Sequence, residues 1–454
     1  MMRQRLWTLT SPRFQDGFQT FLVCACFWSL LCAGCSHDRQ DAARTAATNG
    51  GTDDTKSVST PPDDPAAVEA LKEAGFTCET NDVGNVTVVS MSFNEDKSRQ
   101  LVHLGGLHSL KEIQFTGPAL TDSGLDVIAQ LPHLRRLNLA GSRAADGALK
   151  ACEELHHLEV LQLRRSAVSN AGLASLTGLT SLRALDLRNT KVTDEGLQHL
   201  AALKSLVDVQ LEKCDVTDEG VKEISDLPLK SINLNFCTSI SDEALKILGD
   251  MSDLTSVQLA ETRVTDDGMQ AVSRLNKLRR LRLTGCDVTH EGFACLAGIE
   301  TIERLELRGT SLDAEGLKTV ARLPRISYLD ISECRLLRAD DLAPLSQMQK
   351  LETLICWETR LSDVVVNTLE NLAALETLDM SATSVTDASV ATLLKLKKLR
   401  RLNLSGTQVT GDGFRQLAQL PDLSWLNVAN TDIGFDVIDE LKATRQGLEV
   451  REFE

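Results

Sequence analysis

Leucines recur in a fixed short pattern along most of this chain, and the pattern returns about every 24 residues. In one such repeat, Leu182 is followed by Leu185 and Leu187, and the last two leucines are separated by one polar residue. Alternation of this kind predicts a short β-strand with one apolar face. Further along the same repeat, Leu197, Leu200 and the leucine at 203 recur every three residues, which predicts a helix with one buried stripe. Each repeat is therefore predicted to form a strand and then a helix.

The repeats stack into one array because a strand–helix unit of this size cannot bury its apolar face alone. Most steps between repeats are 24 residues, with one of 23 into Leu229 and three of 25 into Leu254, Leu351 and Leu448. The predicted strands begin at Leu110, Leu134, Leu158, Leu182, Leu206, Leu229, Leu254, Leu278, Ile302, Ile326, Leu351, Leu375, Leu399, Leu423 and Leu448. The predicted fold class is α/β, a solenoid with a parallel sheet on one side and helices on the other.

The turn that follows each strand has a recurrent composition, as in the run Thr193-Asp194-Glu195-Gly196. The threonine or the aspartate is expected to accept the free N–H groups that open the helix, and the glycine to permit close approach of the neighbouring turn. Small residues recur eight positions after each strand start: Ser142, Ser166, Thr190, Cys214, Cys237, Thr262, Cys286, Thr310, Cys334, Thr359, Thr383, Thr407 and Thr431. We expect this column to stack and to satisfy backbone groups.

The cysteines are mostly explained by this periodicity. Four belong to the column of small residues, while Cys152 and Cys356 take the places of a helix leucine and a strand leucine. Periodic buried cysteines behave as small apolar residues, so we expect few or no disulfides. Only Cys78 and Cys295 have no packing role that the pattern predicts.

The alternation of Thr and Cys in that column, followed by V/I-T-D-x-G-L, resembles the cysteine-containing class of leucine-rich repeats. The resemblance covers about residues 86–454 and implies a curved solenoid with the sheet on its concave face and the helices on its convex face. In ubiquitin-ligase substrate receptors of this class an F-box precedes the repeats, and no such segment is found in this chain. The whole layout is similar to that of bacterial leucine-rich-repeat lipoproteins.

The N-terminus carries the features of an export signal. Three arginines precede an apolar run over 21–33, which is shorter than a membrane span of about 20 residues. The run Ala33-Gly34-Cys35 resembles the lipobox of bacterial lipoproteins, although Cys32 departs from it, and implies acylation of Cys35. Ordinary cleavage near Ala33 and an uncleaved anchor are the alternatives. By the same resemblance, Ser36 favours the outer membrane.

Four segments follow from these observations. Residues 1–34 are predicted to be a lipoprotein signal peptide, and 35–64 the acylated cysteine with a tether too poor in apolar residues to fold. Residues 65–109 are predicted to form an N-terminal cap, with a helix that starts at Asp64-Pro65 and ends at Gly75, and 110–454 the repeat array. The predicted location is the bacterial cell envelope, with contact to the membrane only through the lipid.

Charge and motif content argue against several classes of function. The net charge of −16 disfavours a nucleic-acid partner, because binding to phosphates needs an excess of Lys and Arg. The sequence lacks the zinc, phosphate-loop and nucleophile-elbow motifs, and its histidines do not recur beside a nucleophile or a set of ligands. We therefore expect no enzymatic activity, no metal and no cofactor.

The concave face offers the best candidate site. Tyr328, Trp357 and Trp425 fall where side chains are expected to leave the open side of the sheet, whereas Phe115, Phe293 and Phe414 fall at core positions. Tyr and Trp on an open face favour contact with a partner. The predicted site consists of Arg280, Arg282, Arg304, Arg308, Tyr328, Ile355, Trp357 and Trp425.

Two interpretations of this site remain open at this point. The arginines suit an acidic protein surface or an anionic sugar polymer. Alternatively, the residues form a solvated sheet surface in which Glu306 pairs with Arg282, and Arg401 beside Trp425 is a cation–π pair without a ligand. We expect a non-catalytic scaffold with a protein partner, with an envelope polysaccharide or peptidoglycan as the alternative. A ubiquitin-ligase type of receptor rests on the repeat class alone.

Overall fold

A computed structural model describes residues 61–453, and these form a single array of strands and short helices. The predicted signal peptide, Cys35 and most of the predicted tether lie outside the described residues. Strands β1 to β17 are, in order, Thr77–Thr80, Val86–Ser92, Glu112–Thr116, Arg136–Asn138, Val160–Gln162, Ala184–Asp186, Asp208–Gln210, Ser231–Asn233, Ser256–Gln258, Arg280–Arg282, Arg304–Glu306, Tyr328–Asp330, Thr353–Ile355, Thr377–Asp379, Arg401–Asn403, Trp425–Asn427 and Glu449–Arg451.

Strands β2 to β17 pair in chain order to form one parallel sheet, as the repeats predict. The register confirms the step of 23 residues between Asp208 and Ser231 and the steps of 25 into β9 and β13. The predicted step of 25 into Leu448 is wrong, because Trp425 lies opposite Glu449, which is a step of 24. Leu448 is apolar but sits one position beyond the equivalent leucines, so the sequence pattern misplaced this last strand.

The other side of the array consists of short helices. The α-helices α1 to α13 are Pro65–Glu73, Asp146–Lys150, Asn170–Leu173, Asp194–Leu197, Asp218–Glu223, Asp242–Gly249, Asp266–Met269, His290–Ala294, Ala314–Ala321, Asp363–Val366, Val390–Leu393, Gly411–Leu417 and Phe435–Thr444. The 3₁₀ helices are Ser98–Gly106, Leu125–Gln130, Ala174–Leu176, Gln198–Ala202, Gln270–Arg274, Ala339–Gln347, Asn367–Asn371 and Asp387–Ser389. The core lies between these helices and the sheet, and Leu185, Leu187, Leu197 and Leu200 are buried in it as predicted.

The N-terminal cap is a helix followed by a β-hairpin. Asp64 caps α1 by accepting the N–H of Ala66, Pro65 opens the helix, and Gly75 follows it with a φ of +91°, all as the sequence predicts. Strand β1, which pairs antiparallel with β2, was not predicted, because Thr77–Thr80 is short and polar. The Asp63 carboxylate accepts N–H groups from Val86 and His108, so the cap begins before Pro65.

Three phenylalanine rings join the cap to the first repeat. Phe76, Phe93 and Phe115 contact one another edge to face, with centroids 5.3 to 5.9 Å apart, and all three are buried. Phe293 and Phe414 are also fully buried, so the core positions predicted for the phenylalanines are confirmed. Such contacts add about 1 kcal/mol to the burial of each ring pair.

The column of small residues ties neighbouring repeats together. The Thr190 hydroxyl donates to the Leu187 carbonyl of its own repeat at 2.7 Å, and the Cys214 thiol of the next repeat approaches the same oxygen at 3.1 Å. Cys237, Cys286 and Cys334 donate in the same way to the preceding repeat. The column therefore satisfies backbone carbonyls as predicted, except at Ser166, whose buried hydroxyl makes no hydrogen bond. The cysteines donate to the preceding repeat, and the threonines donate within their own repeat.

The aspartate of each turn has a different role from the one the sequence suggested. The threonine caps its own helix in several repeats, as where Thr217 accepts the N–H of Glu219, but Thr193 makes no such bond. The Asp194 carboxylate instead accepts the N–H and the hydroxyl of Thr217 in the next repeat, at 2.8 and 2.6 Å. The same pair of bonds is made by Asp146, Asp194, Asp218, Asp242, Asp266, Asp363 and Asp387, which we call the aspartate ladder.

The recurrent glycine is explained by this ladder. A Cβ at Gly220 would lie 2.2 Å from the Asp194 carboxylate, and one at Gly292 would lie 2.4 Å from that of Asp266. The predicted close approach is confirmed, and the neighbour is the ladder aspartate of the preceding repeat.

Candidate functional site

The predicted site lies on the open face of the sheet, which is the face turned away from the helices. The parallel register aligns Arg280 in β10 with Arg304 in β11 and with Tyr328 in β12, so their side chains form one column across three strands. Parallel strands lie about 4.8 Å apart, which keeps these side chains within contact distance of one another. We call Arg280, Arg282, Arg304, Arg308, Tyr328, Ile355 and Trp357 the basic–aromatic surface.

Three of the arginines surround a single carboxylate. Glu306 Oε1 accepts from Arg280 Nη2 at 2.9 Å and from Arg304 Nε at 2.7 Å. Arg282 is held more loosely, with its Nε 3.5 Å from Glu306 Oε2 and 3.4 Å from the Thr284 hydroxyl. The sequence predicted a pair between Glu306 and Arg282, whereas the closer partners are Arg280 and Arg304.

The charges of this cluster hold Glu306 ionised. Burial alone would raise the pKa of Glu306, but the charges of Arg280, Arg304 and Arg282 outweigh it, so the pKa lies below its usual value. The Arg280 side chain is only 13% exposed, while those of Arg282 and Arg304 are each 29% exposed. Arg280 therefore serves to hold Glu306, and Arg282 and Arg304 face the solvent.

Two of the predicted rings are covered by guanidinium groups. The Arg304 guanidinium lies 3.5 Å from the centroid of the Tyr328 ring, and that of Arg308 lies 4.5 Å from the Trp357 ring. Burial raises the pKa of Tyr328 to about 12 despite the nearby charge of Arg304, so its hydroxyl remains protonated at neutral pH. Stacking of this kind fixes the orientation of both partners and contributes about 0.5–2 kcal/mol for each pair.

Trp425 is separate from this surface. It lies in β16, three strands beyond Trp357, and the Arg401 guanidinium covers its ring at 4.4 Å. This is the cation–π pair that the sequence suggested as the alternative to a ligand contact. Ile355 is half-buried in β13 on the same face as the surface.

Two acidic residues in this region were not predicted. Glu333 accepts from Arg308 Nε at 2.9 Å and keeps that guanidinium over Trp357. Asp330 lies opposite Glu306 in the register, accepts from the Ser332 N–H and hydroxyl, and has a pKa that burial raises. Glu333 occupies the position seven after the strand start, which the repeat pattern predicts to be part of a turn. Its role depends on contacts between repeats, which the pattern does not show.

Between residues 61 and 453, His, Cys, Asp and Glu side chains form no group of three or more that could hold a metal ion. The eight cysteines in that range are free, and burial raises the pKa of Cys152, Cys237 and Cys334 to about 12. Such thiols remain protonated and make poor nucleophiles. Cys152 and Cys356 are buried at the leucine positions predicted for them, and Cys78 is partly buried against the core.

Comparison with known families identifies the repeats. A family model described as "Leucine-rich repeat region" matches residues 87–339, which is more than half of the chain, and a second one described as "Leucine Rich repeat" matches residues 395–418. The chain therefore belongs to the leucine-rich-repeat family, whose fold is typical of scaffolds for protein interaction. No curated protein matches the chain in sequence.

Three solved structures are similar to this chain to different degrees. A leucine-rich-repeat protein of Leptospira interrogans has a TM-score of 0.51 and 19% identity, over 77% of this chain and 91% of that one. An internalin from Listeria monocytogenes has a TM-score of 0.40 and 16% identity, over 87% and 99% of the two chains. The ectodomain of the Arabidopsis thaliana receptor kinase GASSHO1/SCHENGEN3, solved with CASPARIAN STRIP INTEGRITY FACTOR 2, has a TM-score of 0.41 and 14% identity, over 84% and 51%. At 19% identity the likeness to the Leptospira protein concerns the fold alone.

None of the helices within residues 61–453 is both long enough and apolar enough to cross a bilayer.

Proposed function

We propose that this protein is a non-catalytic binding scaffold of a bacterial cell envelope, held there by a lipid on Cys35, and that it presents the basic–aromatic surface to a protein partner. The observation that carries the proposal is the arrangement of arginines and rings over β10 to β13. Arg304 on Tyr328 and Arg308 on Trp357 are held in place by Glu306 and Glu333 before any partner arrives. A rigid surface loses little conformational entropy on binding, and Arg, Tyr and Trp are the residues that contribute most at interfaces.

The binding role is tested by affinity capture from the native host. The captured protein is identified by mass spectrometry, purified, and bound again to wild type and to W357A. Loss of the Trp357 ring is expected to weaken binding by roughly tenfold to a hundredfold, because a central aromatic residue contributes about 2 kcal/mol or more. W425A is the matched control, since it removes a ring of the same type three strands away. Equal binding by wild type and W357A would contradict the proposed surface.

The anchor is tested separately by mass spectrometry of the mature N-terminus. Acylation of Cys35 predicts an N-terminal peptide that begins at Cys35 and carries the mass of the lipid. A mature chain that begins elsewhere, as after ordinary cleavage near Ala33, would contradict the anchor without affecting the binding surface.

An anionic envelope polymer is the second candidate partner. It is favoured by the same observation, because rings and guanidinium groups together also suit sugars that carry carboxylate groups. Pull-down with purified wall polymer separates the two candidates. Retention of wild type but not of R304A on the polymer would favour the polymer, and absence of retention would leave the protein partner.

A further inference from the structure

We infer that the basic–aromatic surface recognises a carboxylate of its partner at Arg282 and Arg304, together with an apolar side chain about four residues away at Ile355 and Trp357. This inference rests on the proposed function and specifies the chemistry of the partner. It follows from an imbalance of charge, from unused donors and from the spacing of the strands.

The imbalance is centred on Glu306. Three guanidinium groups, those of Arg280, Arg282 and Arg304, lie around this one carboxylate. Like charges at this spacing repel one another, and the repulsion grows where burial lowers the effective dielectric. A second carboxylate placed beside Arg282 and Arg304 would relieve this repulsion, whereas a neutral ligand would not.

The donors that such a carboxylate needs are present. Within residues 61–453, the Nη atoms of Arg282 and Arg304 donate no hydrogen bond: Arg304 donates through its Nε to Glu306, and Arg282 through its Nε to the Thr284 hydroxyl. Arg280 differs, since both its Nε and Nη2 are bound to Glu306. A fork of free N–H groups matches the two oxygens of a carboxylate.

The apolar part of the surface lies at a fixed distance from these donors. Arg282 in β10 and Ile355 in β13 occupy the same column of the open face, three strands apart. Three steps of about 4.8 Å give about 14 Å, which an extended chain spans in about four residues. The expected partner segment is therefore an extended peptide that crosses the strands, with Asp or Glu about four residues from a leucine or an aromatic residue.

The test uses the purified full chain and three synthetic peptides in a glycine–serine background. The first carries one Glu and one Leu four positions apart, the second carries them adjacent, and the third replaces the Glu with Gln. Binding is followed by the NMR signals of ¹⁵N-labelled tryptophan side chains, with the Trp357 signal assigned from W357F. Trp425 serves as an internal control, because it lies three strands away from the surface.

The expected result is a shift of the Trp357 signal that is strongest with the first peptide. R282Q is expected to weaken the binding of this peptide about tenfold, as for a lost charge-assisted hydrogen bond, and to leave the Gln peptide unchanged. R279Q is the matched control: it removes the same charge from the residue just before β10, where Arg279 makes an exposed pair with Glu303. Arg282 retains its structural neighbours in that control.

Either of two results would overturn the inference. One is equal weakening by R282Q and R279Q, which would mean only general attraction between charges. The other is binding of the Gln peptide as tight as that of the Glu peptide. The failure of this inference can be distinguished from failure of the proposed function. If the captured host protein still requires Trp357 but binds R282Q as it binds wild type, the protein-binding role stands and carboxylate recognition does not.

Discussion

At the scale of single residues, each repeat contains one position whose backbone lies in the left-handed region. It comes seven residues after the strand start and is a glycine at 117, 141, 285, 309 and 406. Other repeats place a larger residue there with φ between 51° and 60°: Arg165, Asn189, Lys213, Phe236, Glu261, Glu333, Glu358, Ala382 and Asn430. For a residue with a Cβ, this backbone conformation costs about 1–2 kcal/mol of folding free energy. A residue other than glycine at this position therefore either has another role for its side chain or lowers the stability of its repeat.

Ala382 is the clearest case of a residue that lowers stability at this position without another role, because its side chain is a single exposed methyl group. We expect A382G to raise the melting temperature, since relief of the strained φ of 52° outweighs the greater freedom of glycine in the unfolded chain by about 0.5–1 kcal/mol. Differential scanning calorimetry measures the change. G406A is the matched reverse variant: Gly406 has a φ of 64° and no close neighbour to clash with a Cβ. A lower melting temperature for A382G would contradict the interpretation.

The carboxylate of Asp363 makes the stability of the array depend on pH. Burial disfavours the charge of Asp363, but hydrogen bonds from Ser389 and Thr386 outweigh it, so its pKa is lowered. A lowered pKa means that the carboxylate stabilises the fold above the unfolded value near 3.9, and that this contribution is lost as the pH falls through the folded pKa. We expect D363N to melt below wild type at neutral pH and the difference to shrink below about pH 4. Thermal melts at several pH values test this, and a gap that widens in acid would contradict it.

At the scale of the elements, the aspartate ladder is broken in the middle of the array. Ladder positions hold aspartate or asparagine from Asp122 to Asp266, then His290, Ala314 and Ala339, and the aspartates resume at Asp363. At the first interruption the pair is inverted, because His290 Nδ1 lies 3.0 Å from an oxygen of Asp313, the residue that caps the next helix. The inverted pair retains one contact between repeats where the ladder makes two hydrogen bonds.

Restoring the usual pair should stabilise this junction. The double variant H290D/D313T places an aspartate and a threonine where the other repeats have them, and we expect it to raise the melting temperature by an amount equivalent to about 1 kcal/mol, the value of one added hydrogen bond. H290D alone is expected to lower it, because two carboxylates would then face each other. Melting curves of the two variants should therefore move in opposite directions, and a shift of both in the same direction would refute the explanation.

At the scale of the whole molecule, the array is quasi-one-dimensional, and its stability is a sum of repeats and junctions rather than the property of a single core. The cap with its three phenylalanine rings closes one end, and helix α13 with strand β17 lies at the other. The basic–aromatic surface spans β10 to β13, and the interrupted part of the ladder lies in the same repeats. Local opening should therefore begin where the candidate site lies.

Hydrogen exchange measured by NMR tests this uneven stability. The amide protons of Thr217, Ser241 and Thr265 are bound to ladder aspartates and are expected to exchange slowly. The equivalent amide of Asp313 has no such aspartate, because His290 occupies the ladder position, and is expected to exchange at least tenfold faster. Equal protection along the array would show that the interruption has no energetic effect.

The sequence by itself determined the period, the strands, the buried leucines and the face on which Tyr328, Trp357 and Trp425 lie, because each of these follows from spacing within one repeat. It also identified the residues of the candidate site, although their role in binding remains a prediction. Two local patterns misled it: the polar strand β1, and Leu448, whose apolar side chain hid the true register of β17.

Only the tertiary structure decided which residues pair across repeats. Glu306 meets Arg280 and Arg304, Glu333 holds Arg308 over Trp357, and Asp194 reaches Thr217 rather than its own helix. The physical reason is that stacking places residues about 24 positions apart within hydrogen-bonding distance. A long side chain can then reach several residues of the neighbouring repeats, all of which lie about one repeat away in the sequence. Distance and angle choose among them, and a linear pattern contains neither.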